Sequence, residues 1–231
     1  LADFSKEDVK MKHKERNNMA DIKSKIIKVG TKVVSRFNSL SQAEISRSTA
    51  EKVITEGMPE ILRYAASQGA VLLKNEKALP LKEGTKVSLF GRVQNDYFYV
   101  GYGSGGDVNV PYKVSLMKGL RNNGKIKVNE LLATTYEKWA EANPVDDGFW
   151  GNWPMCYDEM PVDFSMARTA ASMSDTAIVV IGRSAGEDRE NKLEEGSYYL
   201  TQTEKDMLNS VTSAFDRVIV LLNCGSIMDM G

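Results

Sequence analysis

Two apolar runs near the end of the chain, Thr176–Ile181 and Arg217–Leu222, constrain the fold more than any other feature. Neither alternates apolar with polar residues, so each must be covered on both faces, as the strands of a parallel sheet are. Around them the period changes. Residues 130–142 set Leu132, Tyr136 and Trp139 on one helical face, and the helix after Thr201 sets Met207, Leu208, Val211 and Phe215 on another. Thr201 and Glu204 have capping-box spacing, in which each side chain satisfies a helix-end backbone amide. Lys86–Phe90 and Lys125–Val128 read as further strands; residues 59–67, 113–122 and 163–174 read as helices. Apolar strands alternating with amphipathic helices give an α/β fold, a doubly wound, mainly parallel sheet sandwiched by helices. The two apolar runs follow one another in sequence, so they are expected as neighbouring central strands.

The ends of the chain differ from this middle. Residues 1–40 are charged and irregular, with a basic cluster over Lys10–Arg16, and Ser41 and Glu44 repeat the capping-box spacing. Residues 1–64 therefore read as a charged helical extension and residues 65–231 as the α/β domain. The chain stops at Asp229–Gly231, a few residues past the last apolar run, where a doubly wound sheet continues with another crossover helix. The domain is thus expected to be incomplete at its C-terminus, its last strand showing one uncovered apolar face or meeting another chain. Uncovered apolar faces drive association, so a homo-oligomer is a partner this reading allows.

Composition removes several function classes. There are 30 Lys and Arg against 31 Asp and Glu, a net charge of −1, so no basic field draws in nucleic acid. No run of about 18 apolar residues is present to span a membrane. Cys156 and Cys224 make neither a disulfide framework nor a paired metal motif, and His13, the one histidine, lies in a charged stretch. That excludes His-rich metal sites and a Ser-His-Asp triad within this chain. Its chemistry must run on carboxylates. No signal-peptide pattern opens the chain, which points to the cytoplasm, but Leu1 stands where a Met would begin a native sequence, so an extracellular place stays open.

Ligands in open α/β sheets gather beyond the carboxyl ends of the strands. Two long loops leave such ends, residues 91–112 and residues 183–200. The first contains Gly101, Gly103 and Gly106, formally the dinucleotide spacing. That motif needs a strand directly before it and a helix directly after. Residues 91–100 intervene here, and Asp107–Pro111 follow in place of a helix, which disfavours nucleotide. A structural turn and a backbone packed on a neutral ligand both remain. The second loop sets Glu187 just after Gly186, beyond a strand end, where a carboxylic acid is placed for proton transfer. The same position suits a solvated loop residue, as do Glu190, Glu194 and Glu195.

Taken together, Gly69–Glu76 with Leu79–Leu81, Gly101–Asp107, Ala177–Glu187, Tyr199–Thr201 with Glu204, and Val218–Asn223 resemble glycoside hydrolase family 3 (β-glucosidase- and β-xylosidase-like). The likeness is to its α/β sandwich domain, in the family's order, from about residue 65 onward. It implies a retaining, exo-acting hydrolase in which Glu187 is the catalytic acid/base and Ser104 and Arg189 bind substrate. An Asp nucleophile would come from a barrel domain of the same native polypeptide, so this chain alone is expected to be inactive. Nothing before residue 65 has the pattern of a barrel, which implies the family's inverted order, sandwich first. The usual Gly-Glu-Gly-x-Asp-Arg spacing is shortened here to Gly186, Glu187, Asp188, Arg189. The substrate implied is a β-linked oligosaccharide or glycoside, with no cofactor, metal, nucleic acid or membrane. Two rival readings are a non-catalytic flavodoxin-like binding module and a degenerate family member.

Overall fold

In the computed structural model the chain divides into two units, Leu1–Glu51 and Lys52–Gly231. The structure describes residues 54–102, 110–148, 153–186 and 191–230, all in the second unit. The capping-box pair Ser41 and Glu44 lies outside them.

Helix α1, Met58–Gly69, opens the described part, with Pro59 in its first turn and no buried residue. Strand β1 is Lys86–Phe90, helix α2 Leu116–Asn123, strand β2 Lys127–Val128 and helix α3 Glu130–Ala142. Helix α4, Phe164–Ala171, leads into strand β3, Thr176–Arg183; helix α5, Gln202–Ala214, leads into strand β4, Val218–Cys224. All pairings are parallel, in the spatial order β2-β1-β3-β4. The chain thus builds outward from β1 to β2, returns past it to β3, and continues to β4. This reversal makes a topological switch point between β1 and β3.

Side-chain alternation along β3 fills both cores. Ala177, Val179 and Ile181 pack with Phe90, Tyr136, Ala167, Met207 and Val211 on one face. Ile178 and Val180 pack with Val87, Leu89, Val93 and Met117 on the other. Every residue of β3 is buried. The helix ends follow their sequence signals. Thr201 caps α5 in a full capping box with Glu204, and Asp163 and Ser115 cap α4 and α2. Gly124, in the left-handed region at φ 71°, ends α2.

One expectation needs correction. The two apolar runs are neighbours, in register from Ala177–Val218 to Arg183–Cys224, but only β3 is central. β4 is the edge of the described sheet, its residues half-buried and Val220 48% exposed. An unbroken apolar run reports that both faces of a strand are covered; it carries no information about whether both edges are hydrogen-bonded. The apolar segment Val71–Leu73 is likewise exposed and forms no strand.

The contrast between buried core and sheet edge gives a direct test. Met207 on α5 is wholly buried, so Met207→Ala should destabilise the chain by about 2–5 kcal/mol in urea unfolding. Val220→Ala on the open edge should cost less than about 1 kcal/mol. Equal costs would contradict the assignment of core and edge.

Candidate active site

The loops leaving β1 and β3 meet at the switch point. The Tyr102 amide donates to the Ala185 carbonyl at 2.7 Å, and Tyr102 and Gly186 form a parallel bridge. The approach needs bare backbone. A Cβ on Gly101 would lie 2.6 Å from the Ala185 oxygen, and one on Gly186 would lie 2.7 Å from the Tyr102 oxygen. These distances are shorter than real Cβ contacts, so glycine here allows the loops to touch. A third element joins them. Asn223 near the end of β4 accepts from the Phe98 amide at 2.7 Å and donates to the Phe98 carbonyl at 3.0 Å, tying the β1 loop across the sheet.

Below this junction lies a buried ion pair. Arg183, the last residue of β3, is fully buried, and its guanidinium donates to both oxygens of Glu204, Nη1 to Oε1 at 2.7 Å and Nη2 to Oε2 at 2.8 Å. It also donates to the carbonyls of Gly182, Ser197 and Tyr199. Buried charge is tolerated only when paired and fully hydrogen-bonded, and this cation has a partner for nearly every donor. Glu204 does two jobs. Its Oε2 also accepts from the Thr201 amide at 2.8 Å, closing the capping box of α5. One carboxylate thereby fixes the start of α5, the end of β3 and the returning part of the loop between them.

The segment from Trp153 to Met160 braces both loops from the side. Ser184 donates its amide to the Met155 carbonyl at 2.8 Å and its hydroxyl to the Pro154 carbonyl at 2.6 Å. Toward the β1 loop, Tyr157 stacks on Phe98 with ring centres 4.6 Å apart, and its hydroxyl lies 2.8 Å from that of Tyr102. Both hydroxyls donate to Asp147 at 3.2 Å, and Tyr102 stacks on Trp153 at 5.8 Å. Burial is the main cause that holds both phenols well above their ordinary pKa, so they stay protonated donors. Glu159 completes the brace. Its Oε2 accepts from the Arg92 amide at 2.7 Å, and its Oε1 from the Met160 amide at 2.8 Å. Burial pushes its carboxyl up to about 7.

Glu187, Ser104 and Arg189, with Asp188 and Glu190, lie outside the described residues. What the structure brings together is their immediate neighbours, Tyr102 and Gly186. Glu194 and Glu195 are exposed, and Glu195 pairs with Lys205 at 3.0 Å, consistent with solvated loop positions. Both cysteines are free thiols, and burial pushes Cys156 up to about 11. Among the described residues, no three His, Cys, Asp or Glu gather as a metal-holding group. Arg183, Glu204, Glu159 and Tyr102 are not legible as site residues in the sequence. The one available signal is Glu204, whose capping-box position is evident while its long-range partner is not.

The model of the family described as "Glycosyl hydrolase family 3 C-terminal domain" matches residues 70–231. The chain belongs to glycosyl hydrolase family 3. Within that family it is 45% identical over 176 residues to a β-glucosidase of Ruminococcus albus, a match covering 74% of this chain and 18% of the relative. It is 35% identical over 194 residues to β-glucosidase A of Butyrivibrio fibrisolvens, covering 74% and 23%. The crystal structure of a Paenibacillus barengoltzii β-glucosidase superposes with a TM-score of 0.75 at 49% identity, over 77% of this chain and 20% of that one. β-Glucosidase 3B of Thermotoga neapolitana, solved with glucose, gives 0.66 at 32% identity, over 74% and 25%. The chain thus spans between 18% and 25% of the length of these family 3 proteins.

The ion pair of this family 3 domain yields a double-mutant test. Glu204→Gln keeps a capping side chain but leaves Arg183 buried without a counter-charge, and should cost about 3–5 kcal/mol in urea unfolding. Adding Arg183→Met to it should recover part of that loss, because the unpaired charge goes with the arginine. Additive losses would mean that the two residues do not act as a pair.

Proposed function

We propose that this chain is the sandwich part of a retaining, exo-acting β-glucosidase-like enzyme and supplies its acid/base, Glu187. The observation that carries the reading is the junction of Tyr102 with Ala185 and Gly186 at the switch point. It brings the sequence just before Ser104 and just before Glu187 to one end of one sheet, where α/β folds hold ligands. The β-glucosidases it resembles support the substrate class, a β-linked oligosaccharide or glycoside. In this proposal residues 1–64 are a helical extension and residues 65–231 the sandwich domain. The Asp nucleophile stands on a barrel domain of the same native polypeptide.

The chemistry follows from two carboxyl groups about 5–5.5 Å apart across the glycosidic bond. The nucleophile attacks the anomeric carbon while Glu187 protonates the departing oxygen, giving a covalent glycosyl-enzyme. Glu187, now ionised, takes a proton from water as that water hydrolyses the intermediate, and configuration is retained. The first step requires a protonated carboxyl near neutrality. Burial against the barrel and the nearby negative nucleophile both raise a carboxyl pKa and would keep Glu187 protonated. Ser104 and Arg189 are assigned to holding the sugar hydroxyls.

The test uses the full-length enzyme. Glu187→Ala should lower turnover of substrates with poor leaving groups by about 10²–10⁴-fold. Formation of the glycosyl-enzyme from a dinitrophenyl glycoside should survive, since that leaving group needs little protonation. Azide should then restore turnover and yield a glycosyl azide of retained configuration. Near wild-type activity of the variant on poor leaving groups would overturn the assignment.

A further inference from the structure

The brace segment touches both loops of the site, and one side chain on it has no part in the chemistry above. Glu159 is partly buried and aims its two oxygens at two backbone amides, those of Arg92 and Met160. Arg92 begins the short 3₁₀ turn directly after β1, whose chain continues to Phe98 and Tyr102. Its guanidinium donates to the brace at the Asp158 carbonyl and to the Asn143 carbonyl at the end of α3, and pairs with Asp96 at 2.8 Å. On the brace's other side Pro154 and Met155 hold Ser184, three residues before Glu187.

We propose that Glu159 is a positioning residue for Glu187: its carboxylate clasps the brace to the turn after β1, and the brace in turn holds Ser184, three residues before Glu187. This rests on the reading of Glu187 as the acid/base. An ionised carboxylate offers an acceptor to both amides at once. A protonated one must turn its hydroxyl away from one of them, as must a glutamine its amide nitrogen, and either change opens half of the clasp.

Several groups face Glu159. Arg92, paired with Asp96, comes from the turn after β1, Tyr136 from α3 and Glu204, held by Arg183, from α5. Cys156 and Asp158 lie on its own segment. Burial outweighs the two amide bonds and Arg92, and Glu204 adds repulsion, so the carboxyl ionises near neutrality at about 7. The clasp is therefore half open below that pH and closed above it.

The experiment compares full-length wild type, Glu159→Gln and Glu187→Ala on an alkyl β-glucoside and on a dinitrophenyl β-glucoside. For Glu159→Gln above pH 7, kcat/KM on the alkyl glucoside should fall roughly 10-fold, in line with partial loss of general acid catalysis. On the dinitrophenyl glucoside it should stay within about twofold. The wild-type ratio of the two values should drift toward that of the variant as pH falls through about 7. Stability supplies a separate readout. A carboxyl whose folded pKa of about 7 exceeds its ordinary 4.5 gives stability that is full below about 4.5 and lost as pH rises through about 7. The unfolding free energy of Glu159→Gln should therefore gain on that of wild type across this window. Equal loss on both substrates would show general damage and overturn the proposal, as would wild-type values on both. If Glu187→Ala keeps wild-type activity on the alkyl glucoside, the reading of Glu187 fails and takes this inference with it. If Glu187→Ala behaves as an acid/base variant and Glu159→Gln shows no selective loss, only the positioning role falls.

Discussion

The fully buried ion pair between Arg183 and Glu204 is the contact on which the carboxyl end of the sheet depends. A guanidinium at the end of an all-buried strand is costly unless its donors are met, and Glu204 with three backbone carbonyls meets them. The consequence is geometric. Those carbonyls belong to the strand end and to Ser197 and Tyr199, so the charge that must be satisfied is satisfied by closing the loop from β3 to α5. The loop can be long and still return to a fixed place, because its far end is tied to the residue from which it departs.

The same economy appears on the neighbouring strand. The loop after β1 is held at its start by Arg92, in its middle by Asn223 and at Tyr102 by the backbone of Ala185. None of these ties is local in sequence. Parallel strands place loops from distant parts of the chain at one end, and cross-loop hydrogen bonds turn that coincidence into a site. Glycine at 101 and 186 is the condition for contact, since a Cβ at either would strike the other loop.

The sequence revealed what depends on short-range periodicity. Strand β1 and helix α3 stand where alternation and helical spacing put them, and the capping box at Thr201 forms with both hydrogen bonds. It hid what depends on pairing. The apolar run of β4 matches that of β3 in character, yet in the described sheet one is an edge and the other a centre, because edge pairing leaves no mark on side-chain type. At the site, the strand-end position of Glu187 and the Gly101–Gly106 loop drew attention by local pattern. Glu159 and Arg183 did not, since their meaning lies in partners far along the chain: Arg92, 67 residues away, and Glu204, 21 away. A Glu before Met160 and Pro161, or an Arg after Gly182, is locally unremarked.

A proton donor that must also serve as base within one turnover needs a fixed position more than a fixed charge. Proton transfer depends on hydrogen-bond reach, and the two roles of one carboxyl are played at nearly the same oxygen. Three contacts on different elements hold the chain where it leaves β3: the Arg183 ion pair at the root, the Tyr102–Ala185 backbone contact beside it, and the brace at Ser184. The Tyr102–Ala185 contact is made by backbone groups, which do not titrate. The brace depends on a carboxyl, Glu159, that ionises near neutrality.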